Sequence, residues 1–436
     1  MDDAVNITEK RLDEYINYYA GFLSDREGLF RGYLGDLKIY DREFENRLAV
    51  NYQVGNNFRN LLTNQVIGYM VGIPIKYLIN DRNYTSNKKI LKFHQKQIED
   101  FTDRYKFVST DMSTLRYASI EGFGARLLFI DTSGNENVIN VPSHQCIFIP
   151  DETGEIGLAI RYFSYTNLND VTYYAEVYDK NSFSIFRKDS GSSGFTKIKT
   201  SDHYFSVCPL IKFKNNDLEL GDWELLESYM DAYDILLSDG INEITEAKLS
   251  LLLFKGISIE PEELAKAKND SEGAISLPEG SAEYLSKIIP DQMFNSLEDR
   301  LKRNIYLFAQ AVDWSDEAIA SGYSSGIAKA YKILSLEQKA AEKQIYFTEG
   351  LKQQYQGVCN SWRLRGAADI NPDDIDFKFT RNLPTDLAYL SEFFATMYQK
   401  IPYEDLLKIL PWIDSPSETK EKFEHEQKNN LTNDIL

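Results

Sequence analysis

The chain has 436 residues, of which 43% are hydrophobic and 26% charged, a balance typical of globular proteins with more than one domain. Its formal net charge is −19 and no apolar run reaches membrane-spanning length. The composition therefore excludes a transmembrane helix and a protein that grips nucleic acid through an overall basic excess. The three cysteines lie far apart in the sequence and are expected to be reduced thiols.

The first half of the chain predicts helices followed by strands. Helices are predicted over 5–34, 56–72 and 86–119, because apolar residues recur at helical spacing, and Gly35 and Pro74 mark the ends of the first two. The period then changes to that of a β-rich block. Strands are predicted over 123–130, 137–149, 157–165 and 171–187, with a loop or hairpin tip at 189–194.

The second half predicts long helices around a small insert. From Gly221 an apolar stripe recurs every three or four residues, which predicts one continuous helix. An insert with a strand-like start follows at 251–290, then a helix at 291–312 and a polar loop at 313–326. A very long helix is predicted at 327–365, a strand at 375–380, and a helical, charged tail at 381–436.

Searches for catalytic and ligand-binding motifs find no local candidate. The four histidines are isolated, and no P-loop, zinc-binding or nucleophile-elbow pattern occurs. The stretch from Gly322 to Lys329 lacks the spacing that cradles phosphate, and it is interpreted as a loop that enters a helix. We therefore expect no enzymatic activity, no cofactor and no metal. A nucleic-acid-processing enzyme stays as an alternative that needs a catalytic acid cluster or a P-loop, and neither is visible in the sequence.

One helix face carries acidic residues. Glu224, Glu227, Asp231 and Asp234 follow one another at spacings of three, four and three, beside the apolar stripe. In a monomer this pattern is typical of a solvated helix face. In a ring of subunits the same face could line a shared lumen, where like charge would prevent DNA from adhering.

Several segments, in a fixed order, resemble the portal proteins of tailed phages of the SPP1 type. The segments are NFRNLLTNQVIGYMVGIPIK at 57–76, ASIEGFGARLLFI at 118–130 followed by Val141 and Pro142, 223–249, 301–308 with 324–334, and FTRNLP at 379–384. Ile73 stands where lysine is common in the family, and the residues after Pro411 are not matched. The resemblance implies an α+β, mainly helical portal fold with long stem helices, a β-rich wing and a small α/β clip, assembled as a ring.

The resemblance also implies a division of the chain. The predicted parts are a wing at 1–221, a stem helix at 222–250, a clip at 251–290, a second stem helix at 291–312, a tunnel loop at 313–326, a long helix with a wing strand at 327–380, and a crown with the tail at 381–436. Two long helices around a short insert cannot bury their apolar stripes alone. Head-to-tail contacts around a rotation axis would bury them and close a ring.

The implied function is that of the DNA channel at the unique capsid vertex, which serves packaging, head-to-tail joining and ejection. The expected partners are identical copies, twelve in the virion, double-stranded DNA passing non-specifically, the large terminase, the scaffolding protein, the major capsid protein and the head-completion adaptor, with no membrane. The expected location is the virion, and the host cytoplasm during assembly. A head-completion or other head structural protein without a channel stays as an alternative.

Within this reading two sets of residues are predicted to face the DNA. The tunnel-loop set is Asp313, Trp314, Asp316, Glu317, Ile319 and Tyr323. The stem set is the acidic face Glu224, Glu227, Asp231 and Asp234.

Overall fold

A computed structural model gives the fold of the chain. It describes residues 3–43, 51–80, 88–168, 170–192, 194–247, 251–255, 281–285, 291–315, 326–382, 394–398 and 400–407, together with 410, 413, 419–420, 422–424 and 426. Helices and antiparallel strands both occur in quantity, which confirms the predicted α+β class. The chain divides into two compact units. One comprises Met1–Val66 and Ser113–Pro372, and the other Ile67–Met112 and Asp373–Leu436.

The N-terminal helix α1, Glu9–Leu34, begins and ends where local chemistry dictates. The Thr8 hydroxyl accepts a hydrogen bond from the backbone N–H of Arg11 at 3.2 Å, and Glu9 opposes the helix dipole in the first turn. At the other end Gly35 takes the left-handed conformation at φ 103°, which a residue with a side chain adopts at a cost. The predicted end of this helix is confirmed, and its start lies at the Thr8 cap.

Eight antiparallel strands form the β-rich block. They are β2 Phe123–Ile130, β3 Glu136–Val141, β4 Cys146–Pro150, β5 Ile156–Asn167, β6 Asp170–Tyr178, β7 Ser182–Asp189, β8 Thr196–Asp202 and β9 Leu210–Lys214. A three-stranded sheet has the order β3-β2-β9, and a five-stranded meander has the order β4-β5-β6-β7-β8. The segment 171–187, predicted as one strand, is two strands with a turn at Asp179, whose carboxylate accepts hydrogen bonds from the backbone of Asn181 and Ser182. The predicted tip at 189–194 joins β7 to β8.

Two apolar cores lie along α1. Its first half packs on one face of the five-stranded sheet, through residues that include Leu12, Ile16, Ile160 and Phe186. Its second half packs against helices. That core holds Leu29, Tyr33, Phe58, Leu62, Ile120, Trp223, Leu226, Met230, Tyr233, Ile305 and Ala309. The long first helix therefore joins the β block to the helices that follow it.

The long helices lie in the second half of the chain. A 3-10 turn, Glu224–Leu226, leads into α5, Glu227–Ala247; α6 is Asp291–Phe308 and α7 is Gly326–Arg365. Strands β10, Leu251–Lys255, and β11, Ser281–Leu285, pair antiparallel, with Leu251 opposite Leu285. The predicted helix over 291–312 is shorter than expected, because Gln310 turns left-handed at φ 53°. Most of the predicted insert, 256–280, lies outside the described residues.

The second unit has a small sheet of its own. Strand β1, Lys76–Ile79, pairs antiparallel with β12, Ile375–Lys378. Helix α3, Lys88–Arg104, lies beside β1, where Gln95 accepts from the backbone N–H of Ile79 and donates to the carbonyl of Tyr77. Three further helices are described. They are α2, Phe58–Val71, α4, Phe107–Glu121, and the short α8, Tyr403–Leu407.

Candidate functional site

Trp223 anchors the root of α5. Its side chain is fully buried, and its indole N–H donates to the hydroxyl of Thr63 at 3.0 Å. The guanidinium of Arg59 lies over the indole ring, 5.7 Å from its centroid. Because both partners lie on α2, the start of α5 is fixed against that helix by a hydrogen bond and a cation–π contact.

Two of the four predicted stem acids form an ion-pair cluster beside this anchor. Asp231 lies 3.1 Å from the buried guanidinium of Arg59 and 2.9 Å from the ammonium of Lys38. Glu227 lies 3.0 Å from Lys38 and 3.7 Å from Arg59. Hydrogen bonds to Asp231 and Glu227 raise the pKa of Lys38 above its ordinary value. The two negative and two positive charges of the cluster sum to zero.

The other two stem acids are also engaged within the subunit. Glu224 accepts from the backbone N–H of Gly221 at 2.8 Å and lies 3.8 Å from Arg26. Asp234 is buried and accepts from both the backbone and the side-chain N–H of Asn56, at 2.8 and 2.9 Å. Each of the four acids thus has a partner within the subunit near the start of α5. They do not form a row of unpaired charge there, and their place in a channel wall stays a prediction.

Three polar side chains of α5 hold an extended segment of the chain, residues 51–57, along the helix. Asp234, Ser238 and Asn242 recur every four residues and accept from the backbone N–H groups of the alternate residues 56, 54 and 52 at 2.8–2.9 Å. Asn242 also donates to the carbonyl of Tyr52 at 3.1 Å. The three side chains are buried, so this side of α5 is covered by its own subunit.

Helices α5 and α6 pack closely. The phenol of Tyr233 donates to Glu298 at 3.1 Å, and burial, followed by the charge of Glu298, raises the pKa of Tyr233 to about 12. Further along, Gly240 faces the ring of Phe294 with no room for a Cβ atom. Because the partners run in opposite directions along the two sequences, the helices are antiparallel.

Large apolar side chains remain exposed on both helices of this pair. On α5 they are Ile235, Ile241 and Ile244, and on α6 Met293, Leu297, Leu307 and Phe308. A large contiguous patch of such residues would mark an interaction surface, whereas single exposed apolar side chains are common. That the pair cannot bury its apolar residues alone stays a prediction.

The polar loop that follows α6 is described only at its start. Asp313 lies 3.2 Å from the ammonium of Lys302 and accepts from the backbone and hydroxyl of Ser315 at 2.9 and 2.6 Å. Burial raises the pKa of Asp313, but these hydrogen bonds and Lys302 outweigh it and hold the pKa below its ordinary value. Trp314 is 52% exposed. The predicted residues Asp316, Glu317, Ile319 and Tyr323 lie outside the described residues.

The described residues offer no group of three histidine, cysteine or acidic side chains that could hold a metal ion. Cys146, Cys208 and Cys359 are free and buried, as expected of reduced thiols, and burial raises the pKa of Cys208 and of Cys359 to about 12. Thiols of such high pKa are poor nucleophiles. No helix in the described ranges is both long and apolar enough to cross a membrane.

Long, closely packed helices with exposed apolar side chains are the main features of this part of the chain. The chain belongs to the family of phage portal proteins described as SPP1 Gp6-like, which it matches over residues 11–432. It is 24% identical over 401 residues to the portal protein of Bacillus phage SPP1, covering 86% of this chain and 76% of that protein. It is 22% identical over 402 residues to the portal protein of Clostridium phage phiCD119, covering 86% and 85%. The function is accordingly that of a phage portal.

Proposed function

We propose that the chain forms a closed ring of twelve copies at the unique vertex of the capsid, through which double-stranded DNA enters and leaves. The family match over 11–432 carries this proposal. The exposed apolar residues of α5 and α6 support it, because head-to-tail contacts around a rotation axis would bury them in every copy.

Within this ring we assign the parts as the resemblance implies. Residues 1–221 and 327–380 form the wing, 222–250 and 291–312 the stem, and 251–290 the clip. Residues 313–326 form the tunnel loop, and 381–436 the crown and tail. The antiparallel pairing of β10 with β11 supports a clip closed by two strands, because it brings the two ends of the insert together. The clip would contact the head-completion adaptor.

The tunnel loop is proposed as the narrowest part of the channel, lined by Asp313, Trp314, Asp316, Glu317, Ile319 and Tyr323. The exposure of Trp314 and the carboxylate of Asp313 support this at the loop entry. Duplex DNA carries one negative charge per about 1.7 Å of its length. Acidic residues in a narrow passage would repel that charge, so DNA would pass without being held.

The contribution of the stem acids to the channel wall is a separate proposal. Glu224, Glu227 and Asp231 would give the lumen a wall whose charges are paired with Arg26, Lys38 and Arg59. Asp234, predicted with them, is buried against Asn56 within its own subunit. Glu227→Gln tests it, because Asp231 still pairs with Arg59 and the subunit should fold. Slower packaging by intact rings would support lining. An unchanged packaging rate would remove the stem acids from the proposed channel wall.

We further propose that the portal has no catalytic activity, so the energy for packaging comes from the terminase motor. The scaffolding and major capsid proteins would surround the ring in the capsid, and assembly would take place in the host cytoplasm. The four charges at the stem root and the buried thiols are used for packing, which leaves no candidate nucleophile among them.

Electron microscopy of the purified protein, joined to a packaging assay, tests the proposal. We expect rings with a central hole, and DNA uptake by capsids that depends on them in the presence of terminase and ATP. A protein that stays monomeric under all conditions, or capsids that fill equally well without it, would contradict the channel function. A head-completion protein without a channel would instead add to capsids that are already full.

A further inference from the structure

The point at which the chain leaves α6 is held by side chains from three elements. The ammonium of Lys339, on α7, donates to the carbonyl of Ala309 at 2.7 Å. The amide of Gln65, on α2, bonds to Val312. Lys302, on α6 itself, donates to the hydroxyl of Ser315 at 2.8 Å. Three side-chain contacts, at Ala309, Val312 and Ser315, thus fix the path of the backbone where the predicted tunnel loop begins.

The Gln65 contact is the most specific of the three. Its side-chain N–H donates to the carbonyl of Val312 at 2.7 Å, and its carbonyl oxygen accepts from the N–H of Val312 at 3.1 Å. Val312 is buried, so both backbone groups would otherwise lack a partner, at a substantial loss of stability. Among similar side chains only a carboxamide can donate and accept in this way, because glutamate cannot donate and leucine can do neither.

The backbone needs such anchors at this point. Gln310 takes a left-handed conformation at φ 53°, which non-glycine residues rarely adopt, and the N–H of Ala311 closes the helix end on the carbonyl of Tyr306 at 2.9 Å. The chain therefore turns sharply on leaving α6. Lys339 also lies 3.6 Å from the carboxylate of Asp222, the residue before Trp223, so one side chain ties the turn to the root of α5.

We propose that Gln65 and Lys339 are positioning residues for DNA passage, which set the direction in which residues 313–315, the start of the proposed tunnel loop, leave α6. The inference rests on the proposed role of that loop as the channel lining. Neither residue needs to touch DNA. Their effect is to present Asp313 and Trp314 on the same side in every subunit of the ring.

Gln65→Leu tests the proposal, with Gln356→Leu as the matched control, because Gln356 is an exposed glutamine on α7. In assembled rings of Gln65→Leu we expect the Val312 amide to exchange with solvent about tenfold faster, as after the loss of one hydrogen bond. We expect DNA packaging to slow several-fold while the number of rings is unchanged. Gln65→Glu keeps the acceptor for the Val312 N–H but sets a carboxylate oxygen against the Val312 carbonyl, so packaging should slow as well, whereas Gln356→Leu should match wild type.

Three outcomes would overturn the positioning role. They are faster amide exchange with unchanged packaging, unchanged exchange at Val312, and loss of rings in both Gln65 variants. If only Gln65→Leu fails to form rings, Gln65→Glu decides by the same two measurements.

Deletion of 316–323 separates this inference from the proposed function. If rings with that deletion package normally, the loop does not serve the channel. If they fail while Gln65→Leu packages normally, only the positioning role is lost.

Discussion

The guanidinium of Arg59 is the buried positive charge beside the acids at the start of α5. Its side chain is 2% exposed and has Asp231 at 3.1 Å, Glu227 at 3.7 Å and the indole of Trp223 beneath it. Lys38, on the other side of the same acids, is 64% exposed. An exposed ammonium contributes little to stability, whereas a buried guanidinium without its partner is strongly destabilising. Asp231, the nearer partner of Arg59, is therefore needed for a stable fold, whatever it does in the ring.

Asp231→Ala is expected to lower the free energy of unfolding by about 3 kcal/mol, because it leaves the Arg59 charge buried with only a distant partner. Chemical denaturation of the purified protein measures the change. Asp299→Ala, at an exposed acid on α6, is the control and should change stability by less than about 0.5 kcal/mol. Equal, small effects of the two variants would show that Arg59 does not depend on this pair.

Asp179 makes stability depend on pH. Its carboxylate accepts from the backbone of Ala4 at 2.8 Å, from Asn181 and Ser182 at 2.7 Å each, and from the Ser182 hydroxyl at 2.8 Å. Burial raises the pKa of Asp179, but these hydrogen bonds outweigh it and hold the pKa below its ordinary 3.8. The folded state thus favours the ionised form. The stabilisation is complete above pH 3.8 and is lost as the pH falls through the lower, folded value.

Asp179→Asn should therefore lower the free energy of unfolding at pH 7 by about 1–3 kcal/mol. The difference from wild type should shrink at pH values below the ordinary pKa of 3.8, where wild type loses the same charge. Urea denaturation at pH 7 and at a pH below 3.8 measures the free energy of unfolding of both proteins. Asp151 forms a similar local turn with Thr153 but is exposed and holds no distant segment, so Asp151→Asn should have a clearly smaller effect. A difference that widens in acid would contradict the assignment.

At the scale of elements, Gly240 sets the distance between α5 and α6. A Cβ atom at this position would overlap the ring of Phe294, whereas one at Gly28, in α1, would meet no atom within 4 Å. Both glycines lie inside helices, where alanine is intrinsically better than glycine by roughly 0.5–1 kcal/mol. The same substitution is therefore expected to have opposite signs at the two sites.

Gly240→Ala should destabilise the protein by about 1–3 kcal/mol through overpacking, and Gly28→Ala should stabilise it by roughly 0.5–1 kcal/mol. Thermal unfolding measures both. Adding Phe294→Leu to Gly240→Ala should recover part of the loss, because the smaller side chain leaves space for the new methyl group. If Gly240→Ala stabilises as much as Gly28→Ala, the two stem helices do not pack as closely as described.

Elements with strong local signals were predictable, and those that depend on a distant partner were not. Periodicity and end signals gave α1, α2 and α7 to within a few residues, because Gly35 and the apolar spacing are local features. The turn at Asp179 was missed although its hydrogen bonds from Asn181 and Ser182 are local, and only its bond from Ala4 joins residues far apart in the sequence. The extended segment 51–57 was also missed. Its backbone hydrogen bonds go to side chains on α5, which no period in the segment itself could indicate.

The candidate site shows the same division. Helical spacing predicts that Glu227, Asp231 and Asp234 lie near one another on one side of α5, whereas Glu224 lies in the 3-10 turn before that helix. The spacing could not show that Lys38, Arg59 and Asn56 approach the same side, because these residues lie more than 170 positions away in the chain. A run of acids in a sequence therefore predicts a face of a helix and leaves its charge undetermined.

At the scale of the whole molecule, a net charge of −19 has to be reconciled with association of identical copies. Like-charged subunits repel, so the contacts that close a ring must come from apolar burial or from local charge pairing. The charges of Glu227 and Asp231 are already paired with Lys38 and Arg59 of the same subunit. In the proposed ring, the exposed apolar residues of α5 and α6 are candidates for the contacts between neighbouring copies.

Leu307 tests this account of ring closure. It is 63% exposed on α6, so Leu307→Asp should leave the subunit folded. Burying one leucine in an interface contributes about 1.5–3 kcal/mol, and losing it in every contact should weaken each subunit pair by at least about tenfold. Leu168, 94% exposed and left-handed at φ 54° in the β5–β6 turn, provides the matched change, and aspartate tolerates that conformation. Sedimentation velocity at fixed protein concentration should show fewer rings for Leu307→Asp and wild-type rings for Leu168→Asp. Rings of equal abundance in both would place the subunit contacts elsewhere than on this face of α6.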